Sequence, residues 1–302
     1  MRLLVVGAGA TGGTYGALAS RGGADVTLLA RGAHAAAMSE RGLTVERPGE
    51  RFNVRLRVVT DLAALAGETF DLVLVTVKAP DLPPLLPRVA DLGGTVATAQ
   101  NGVDAEPLAA AYVPPARLVA VVLRLSASLP EPGRVAIAGK DSFVVGPVDP
   151  LSEPAAREAA AALAALGIEV SYRADVLVAK WAKLVWNNAW NVLCALTDRT
   201  IAAVANDLEL RALAERMMGE VVAVARAEGV ELSHDIIPET VARALTVGDI
   251  APSTLQDVRA GRPLEFEALA GTIVRRGRAH RLATPVNDLL YPLLRGRSRG
   301  MP

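Results

Sequence analysis

The sequence has a single cysteine, Cys194, in 302 residues. No internal disulfide can form, which fits a reducing compartment. Nor is either charge in excess: 32 basic residues stand against 32 acidic ones. That balance argues against a nucleic acid or an anionic membrane surface as the main partner. Long apolar runs are missing too. The run at 3–6 is too short for a signal-peptide core and leads straight into glycines. The longer apolar stretches are broken by charge, Gly or Pro well before the length of a membrane span. Together these absences predict a soluble cytoplasmic protein. The three histidines, His34, His234 and His280, have no metal-ligand spacing with one another or with Cys194, so no metal is expected and their roles should be surface or structural. No Ser-His-Asp arrangement is visible.

What is present is apolar material. Hydrophobic residues make up 51% and mean hydropathy is +0.31, enough for sizeable cores. The length suggests two domains. Short β-branched runs at 3–6, 25–29, 54–59, 72–77 and 95–98 alternate with helical patterns such as 12–21, 79–90 and 104–111. That alternation predicts βαβ units and a parallel sheet. From about residue 117 the style changes. The runs 118–126, 134–138 and 142–145 follow one another with turns such as Pro130-Glu131-Pro132-Gly133 and read as added, antiparallel edge strands. An Ala-rich helix at 153–166 and a strand at 168–172 close this part. Beyond Arg173 only helical patterns follow, at 175–196, 206–228, 238–247, 253–260, 264–280 and 285–295. The chain reads as an α/β domain, 1–173, followed by an all-α domain, 174–302. The basic tail RGRSRGMP is expected to fray.

Residues 2–13 read RLLVVGAGATGG, with G-x-G-x-x-G on Gly7, Gly9 and Gly12. The first glycine allows a tight turn, the second a close approach of backbone to a pyrophosphate, the third close helix–strand packing. With Ala10 and Thr11 the loop would set the phosphates over a helix N-terminus. Its place between a predicted strand and helix makes it a dinucleotide-binding fingerprint rather than a bare turn, and the fold class a Rossmann-type parallel sheet domain. An NAD site wants an acid at the end of the second strand. That position reads Leu28-Leu29-Ala30-Arg31-Gly32 and has none; Asp25 lies at the wrong end. Arg31 can hold a 2′-phosphate, so NADPH/NADP+ is the expected cofactor. The bland reading of Arg31 is a solvated loop charge.

Residues 179–198 read AKWAKLVWNNAWNVLCALTD and hold all three tryptophans. On a helix Lys183, Asn187 and Asn191 share one face, with Lys180 about one turn earlier. Amides in an apolar setting cost free energy unless hydrogen-bonded. The stripe is therefore either structural or a row of donors facing a ligand. Cys194 should be buried and inert. Ser253 and Gln256 have the spacing of a capping box. Glu265 follows Gly261-Arg262-Pro263 and should sit in the first turn of the 264–280 helix. The run RRGRAHR at 275–281 reads most simply as a solvated helix end.

The sequence resembles the ketopantoate reductase family over nearly its whole length. The segments that carry the resemblance are GAGATGGTYGALASRGGADVTLLARG, VTVKAPDL, QNGVD, AKWAKLVWNNAWNVLCALT, PSTLQDVRAGRPLEFEALAG and RAHRLATPVND. It implies an enzyme that reduces a small-molecule 2-oxo acid with NADPH, with ketopantoate the leading substrate. The family's proton-donating lysine falls on Lys183, with Lys180 the decoy. Asn187 and Asn191 fall on its substrate-binding asparagines, and Asn188 is left a structural role. Glu265 falls on its active-site glutamate, binding the substrate hydroxyl or orienting Lys183. Ser253 falls on its carboxylate-binding serine. Lys78 and Asn101 fall near nicotinamide and substrate, at strand ends where an open α/β sheet binds ligands. The resemblance implies an active site in the cleft between the two domains. Arg124 reads as a second anion contact or an exposed strand charge. Another 2-oxo acid, a 3-hydroxy-acid dehydrogenase and a catalytically idle NADP(H) sensor are the other readings. An apolar helical domain is compatible with a homodimer without requiring one.

Overall fold

In the computed structural model, which describes residues 1–139 and 142–299, the strands are β1 Arg2–Val6, β2 Asp25–Leu29, β3 Leu43–Arg47, β4 Glu50–Val54, β5 Arg57–Val59 and β6 Leu72–Val75. They continue with β7 Thr95–Thr98, β8 Leu118–Arg124, β9 Ala127–Glu131, β10 Arg134–Ile137, β11 Ser142–Pro147 and β12 Val170–Tyr172. Packing divides the chain into two units. One holds Met1–Gln100 and Ala105–Val176; the other holds Asn101–Asp104 and Leu177–Pro302. The short segment Asn101–Asp104 thus groups with the helices, which the sequence pattern did not anticipate.

The first unit is built on a sheet of order β12-β11-β8-β7-β6-β1-β2-β5. The strands from β5 to β8 are parallel throughout. Their apolar runs are continuous because both faces are covered. Leu3, Val5, Leu28, Leu72 and Leu74 pack on one face, and Leu4, Val6, Leu29, Val73 and Val75 on the other. The alternation is the two-residue period of a strand. The edge expectation needs two corrections. The strand β8 is parallel to β7 and belongs to the core order, its residues Leu118 to Leu123 all buried. Only β11 is antiparallel to β8, and β12 is parallel to β11. The strand β10 is not in this sheet at all. It joins a smaller sheet of order β4-β3-β10-β9, whose β3–β4 hairpin went unread in the sequence. The helix expected at 79–90 is broken into a 3₁₀ turn, Ala79–Asp81, and a short helix, Leu86–Ala90, with Pro83 and Pro84 between them. A helix at Gly32–Arg41 had no clear pattern in the sequence.

Among the described residues, the regular structure of the second unit is all helical. Its core gathers Trp181, Leu184, Val185, Trp190, Met217, Met218, Val221, Leu269 and Ile273. The segment expected as one helix at 175–196 runs as Val176–Trp186, a π-helical turn Asn187–Asn191, and Val192–Thr197. A second π turn, Glu267–Gly271, opens the helix that continues as Thr272–Ala279, and the two π turns pack against each other. The helix Leu208–Ala227 packs against the first π turn and against Thr272–Ala279. The last helix, Pro285–Arg299, is longer than expected, so residues 295–299 of the tail are helical; 300–302 lie outside the described residues.

Candidate active site

In the first unit, the glycine loop joins β1 to the helix Ala10–Arg21. Gly7 has φ +102°, and a Cβ on it would lie 2.7 Å from the Val77 nitrogen. A Cβ on Gly12 would lie 2.3 Å from the Gly7 carbonyl oxygen and 2.5 Å from Thr76 Oγ1. These two glycines let the loop turn and let the helix rest on the strand. Gly9 differs: a Cβ there would meet no protein atom within 4 Å. It is also the N-cap, with no side chain capping the helix. The first-turn amides, those of Ala10 and Thr11 among them, have no intrahelical acceptor. A diphosphate fits this cradle by shape and by charge.

Arg31 follows β2 and its Nη2 donates to Asp81 Oδ2 at 2.9 Å. The guanidinium is three-quarters exposed, so this pair is screened and exchangeable. Lys78 is exposed and lies three residues beyond β6. Gln100, buried after β7, donates Nε2 to the Val75 and Val77 carbonyls at 3.0 and 3.1 Å. His34 is half-buried and accepts from the Gly133 N–H at 2.9 Å; burial lowers its pKa. That is a structural role. His234 is exposed and His280 pairs with Glu228. Among the described residues no group of His, Cys, Asp or Glu could hold a metal ion.

In the second unit three of the expected residues meet. Asn101 Nδ2 donates to Glu265 Oε2 at 2.9 Å, and Asn187 Nδ2 donates to Asn101 Oδ1 at 3.5 Å, the long end of a hydrogen bond. Lys183, half-buried, lies on the same helix four residues before Asn187. Lys180 is the more deeply buried of the two lysines. An α-helix advances a residue four places on by about 40° beyond a full turn. From Lys183 to Asn191 that drift would double. The π turn, with i→i+5 bonds, rotates less per residue and takes the drift back. So the turn keeps Lys183, Asn187 and Asn191 on one stripe. Asn191 is 4% exposed, and its Oδ1 has no partner among the described residues.

Asn188 points elsewhere. It is fully buried and donates to Asn287 Oδ1 at 2.6 Å. Asn287 donates its backbone N–H and its Nδ2 to Glu220 Oε2 at 2.9 and 2.7 Å. The amides of one helix therefore divide between the Asn101–Glu265 chain and a buried support at Asn287. The tryptophans hold the rest: Trp190 is fully buried, Trp186 meets it edge-on at 6.3 Å, and Arg243 stacks on Trp186. Cys194 is buried, and its thiol is pushed up to about 12 by burial.

Three expectations are corrected here. Ser253 does not cap its helix. Pro252 takes the N-cap place and Ser253 becomes the first helical residue, exposed, with no capping bond. Gln256 donates instead to the Ala251 carbonyl at 2.9 Å, so no capping box forms. The Ser253–Arg259 helix does pack on the asparagine turn. Glu265 is not in the first helical turn. It lies in the irregular segment before Glu267, where its carbonyl accepts from the Ala268 N–H. The π turn displaces the helix start past it. Finally, Arg275 and Arg276 are not a solvated helix end: both hold Asp104.

Residues 3–150 match the family model described as ketopantoate reductase PanE/ApbA, and residues 175–298 match the model of its C-terminal part. A 2-dehydropantoate 2-reductase from Mycobacterium tuberculosis (strain ATCC 25618 / H37Rv) is 34% identical, over 99% of this chain and 98% of its own. The crystal structure of a PanE/ApbA family ketopantoate reductase from Ralstonia eutropha JMP134 aligns with TM-score 0.91 and 31% identity, covering 100% of this chain and 99% of that one. The structure of D-mandelate dehydrogenase with NADH and anilino(oxo)acetate aligns with TM-score 0.92 at 24% identity, over 100% of this chain and 99% of that chain, a likeness of fold. With both halves matched in order, the chain belongs to the ketopantoate reductase family.

Proposed function

We propose that this protein is an NADPH-dependent oxidoreductase that reduces a 2-oxo acid to the 2-hydroxy acid. The leading substrate is 2-dehydropantoate (ketopantoate), giving pantoate for pantothenate and coenzyme A synthesis. The observation that carries this reading is the Glu265–Asn101–Asn187 chain, which ends on the helix that bears Lys183. The nicotinamide dinucleotide, when bound, supplies the hydride that goes to the carbonyl carbon. Gly7, Gly9, Ala10, Thr11 and Gly12 would hold its diphosphate, and Arg31 its 2′-phosphate by exchanging Asp81 for it. Lys78 and Asn101 would lie near its nicotinamide.

The carbonyl oxygen must gain a proton as the carbon gains hydride. Lys183 donates it, and its ammonium stabilises the charge that develops on that oxygen. Asn187 and Asn191 offer amide donors along the same stripe and orient the substrate. Glu265 accepts from the substrate hydroxyl or orients Lys183. Ser253 would contact the substrate carboxylate through its hydroxyl alone, since it caps nothing. The proposed setting is the cytoplasm, and no helix among the described residues is long and apolar enough to cross a membrane.

The test is loss of reduced-nicotinamide absorbance with NADPH and ketopantoate, for wild type beside Lys183→Ala. The expected result is turnover that falls about 10²–10⁴-fold in the variant with NADPH binding kept. Tight NADPH binding without wild-type turnover would reject ketopantoate. It would point to another 2-oxo acid, and after those to a sensor.

A further inference from the structure

The segment Asn101–Asp104 has no regular secondary structure, yet each of its residues is fastened to the helical unit. Asn101 bonds Glu265. Gly102 has φ +81°, and a Cβ there would lie 2.6 Å from the Ala268 carbonyl oxygen, so the two backbones touch. Val103 is buried in the helical core and its carbonyl accepts from Arg276 Nη2 at 3.2 Å. Asp104 Oδ1 accepts from Arg276 Nη2 at 2.9 Å, Arg276 Nε at 3.2 Å and Thr272 Oγ1 at 3.0 Å. Its other oxygen accepts from Arg275 Nη2 at 2.8 Å. The Arg276 side chain is only 19% exposed, donates Nη1 to Glu228 at 2.5 Å, and lies 6.0 Å from the ring centroid of Trp181.

A solvated charge needs no such set of partners. The guanidinium fork joins a carboxylate and a carbonyl of one loop to Glu228 at the C-terminal end of the Leu208–Ala227 helix, a spread of partners that suits a fork better than a single ammonium. We propose that Asp104 and Arg276 are positioning residues for Asn101, clamping the loop so that its amide meets substrate and cofactor in one geometry. The proposal rests on the functional reading of Asn101 given above. Asn101 stands three residues from Asp104 in a chain that turns at a glycine. Without the clamp the loop keeps only the Asn101 side-chain bonds, the Gly102 contact with Ala268 and the burial of Val103, with no charged anchor.

The test uses Arg276→Lys and Asp104→Asn, each in the wild-type and Asn101→Ala backgrounds. Each single change should lower kcat/KM for the 2-oxo acid by roughly 10–100-fold, the scale of a misplaced reacting group. In the Asn101→Ala background the same change should cost less than about twofold, because partners acting through one residue are not additive. Equal losses in both backgrounds would overturn the proposal. Amide hydrogen exchange at Gly102 and Val103 gives a readout that needs no turnover. It should quicken more than about tenfold in Arg276→Lys while exchange in the Leu208–Ala227 helix is unchanged. Unchanged exchange at Gly102 and Val103 would also overturn it. Should wild type reduce no 2-oxo acid, the functional reading fails by that result, and the exchange rates still decide whether the clamp exists.

Discussion

Replacing Asn287 with alanine tests how the asparagine turn is held. Asn188 and Asn287 are both fully buried and joined at 2.6 Å, and Asn287 passes the chain to Glu220. Alanine keeps the backbone bond to Glu220 and removes both side-chain bonds. The Nδ2 donor of Asn188, at a fully buried position, then loses its partner, at about 1–3 kcal/mol. The lost bond to the Glu220 carboxylate adds about 1.5–3 kcal/mol. Water entering the space offsets part of this, leaving a net loss of about 3 kcal/mol. At about 2–4 °C per kcal/mol that lowers Tm by roughly 6–12 °C. Tryptophan emission is the right probe, because Trp181, Trp186 and Trp190 all lie in or beside the turn and report the helical unit alone. Asn287→Asp sharpens the test. It keeps an acceptor for Asn188 but sets a second carboxylate against Glu220. The like charge raises the folded-state pKa of the pair, so stability is retained at low pH and lost as pH rises. A loss below about 0.5 kcal/mol for both variants, the level of an ordinary surface change, would refute the buried chain as the turn's support.

The glycine loop separates two effects. Gly9→Ala should leave Tm unchanged, since its Cβ meets no protein atom, yet weaken NADPH binding in a titration. Gly12→Ala should lower stability as well, by at least the roughly 1–3 kcal/mol of an overpacked site, and Tm with it, because its Cβ would overlap the Gly7 carbonyl. Arg31→Ala should weaken NADPH at least about tenfold more than NADH, the scale of one charge-assisted contact; equal losses would remove the 2′-phosphate assignment. Cys194 should resist thiol reagents in the native state. Its folded pKa of about 12 lies above the unfolded value, so its contribution to stability is present below about pH 9 and lost as pH rises toward 12. Cys194→Ala should flatten that alkaline slope in denaturant titrations.

The parallel sheet was legible because its strands are apolar on both faces and punctuated by glycine. That Lys183, Asn187 and Asn191 share a helix face was legible from their spacing; the role proposed for them came from the family resemblance, not from the spacing. What escaped depends on distant partners or on turn chemistry. The β3–β4 hairpin carries a local signal, Pro48-Gly49 between alternating residues of Thr44–Glu46 and Arg51–Asn53. The pairing of β10 with β3 carries none, since Arg134 meets Thr44 across a long stretch of chain. The π turns are not written in local propensity. One is tied to the Asn188–Asn287 bond, whose members are 99 residues apart. The same holds for Arg276, whose arginine-rich neighbourhood reads as solvated until Asp104 is brought to it. Glu265 was placed in the right segment and the wrong conformation, because the π turn moves the helix start beyond it.

The clasp between residues 104 and 276 also bears on how the chain is made. Its members are 172 residues apart, and the earlier one lies in a four-residue segment, Asn101–Asp104, flanked on both sides by residues of the other unit. A ribosome working at about 5–20 residues per second needs roughly 10–35 s to cover that interval. During that time the Asn101–Asp104 loop has been synthesised but has nothing to close on. The helical unit cannot be expressed as a fragment beginning at Leu177 without leaving Arg276 its charge and no aspartate, and the place of Val103 in the core unfilled. A cut in the gene at the end of the sheet, where the order of helices and strands suggests a boundary, therefore parts Arg276 from Asp104 and takes Val103 out of the helical core.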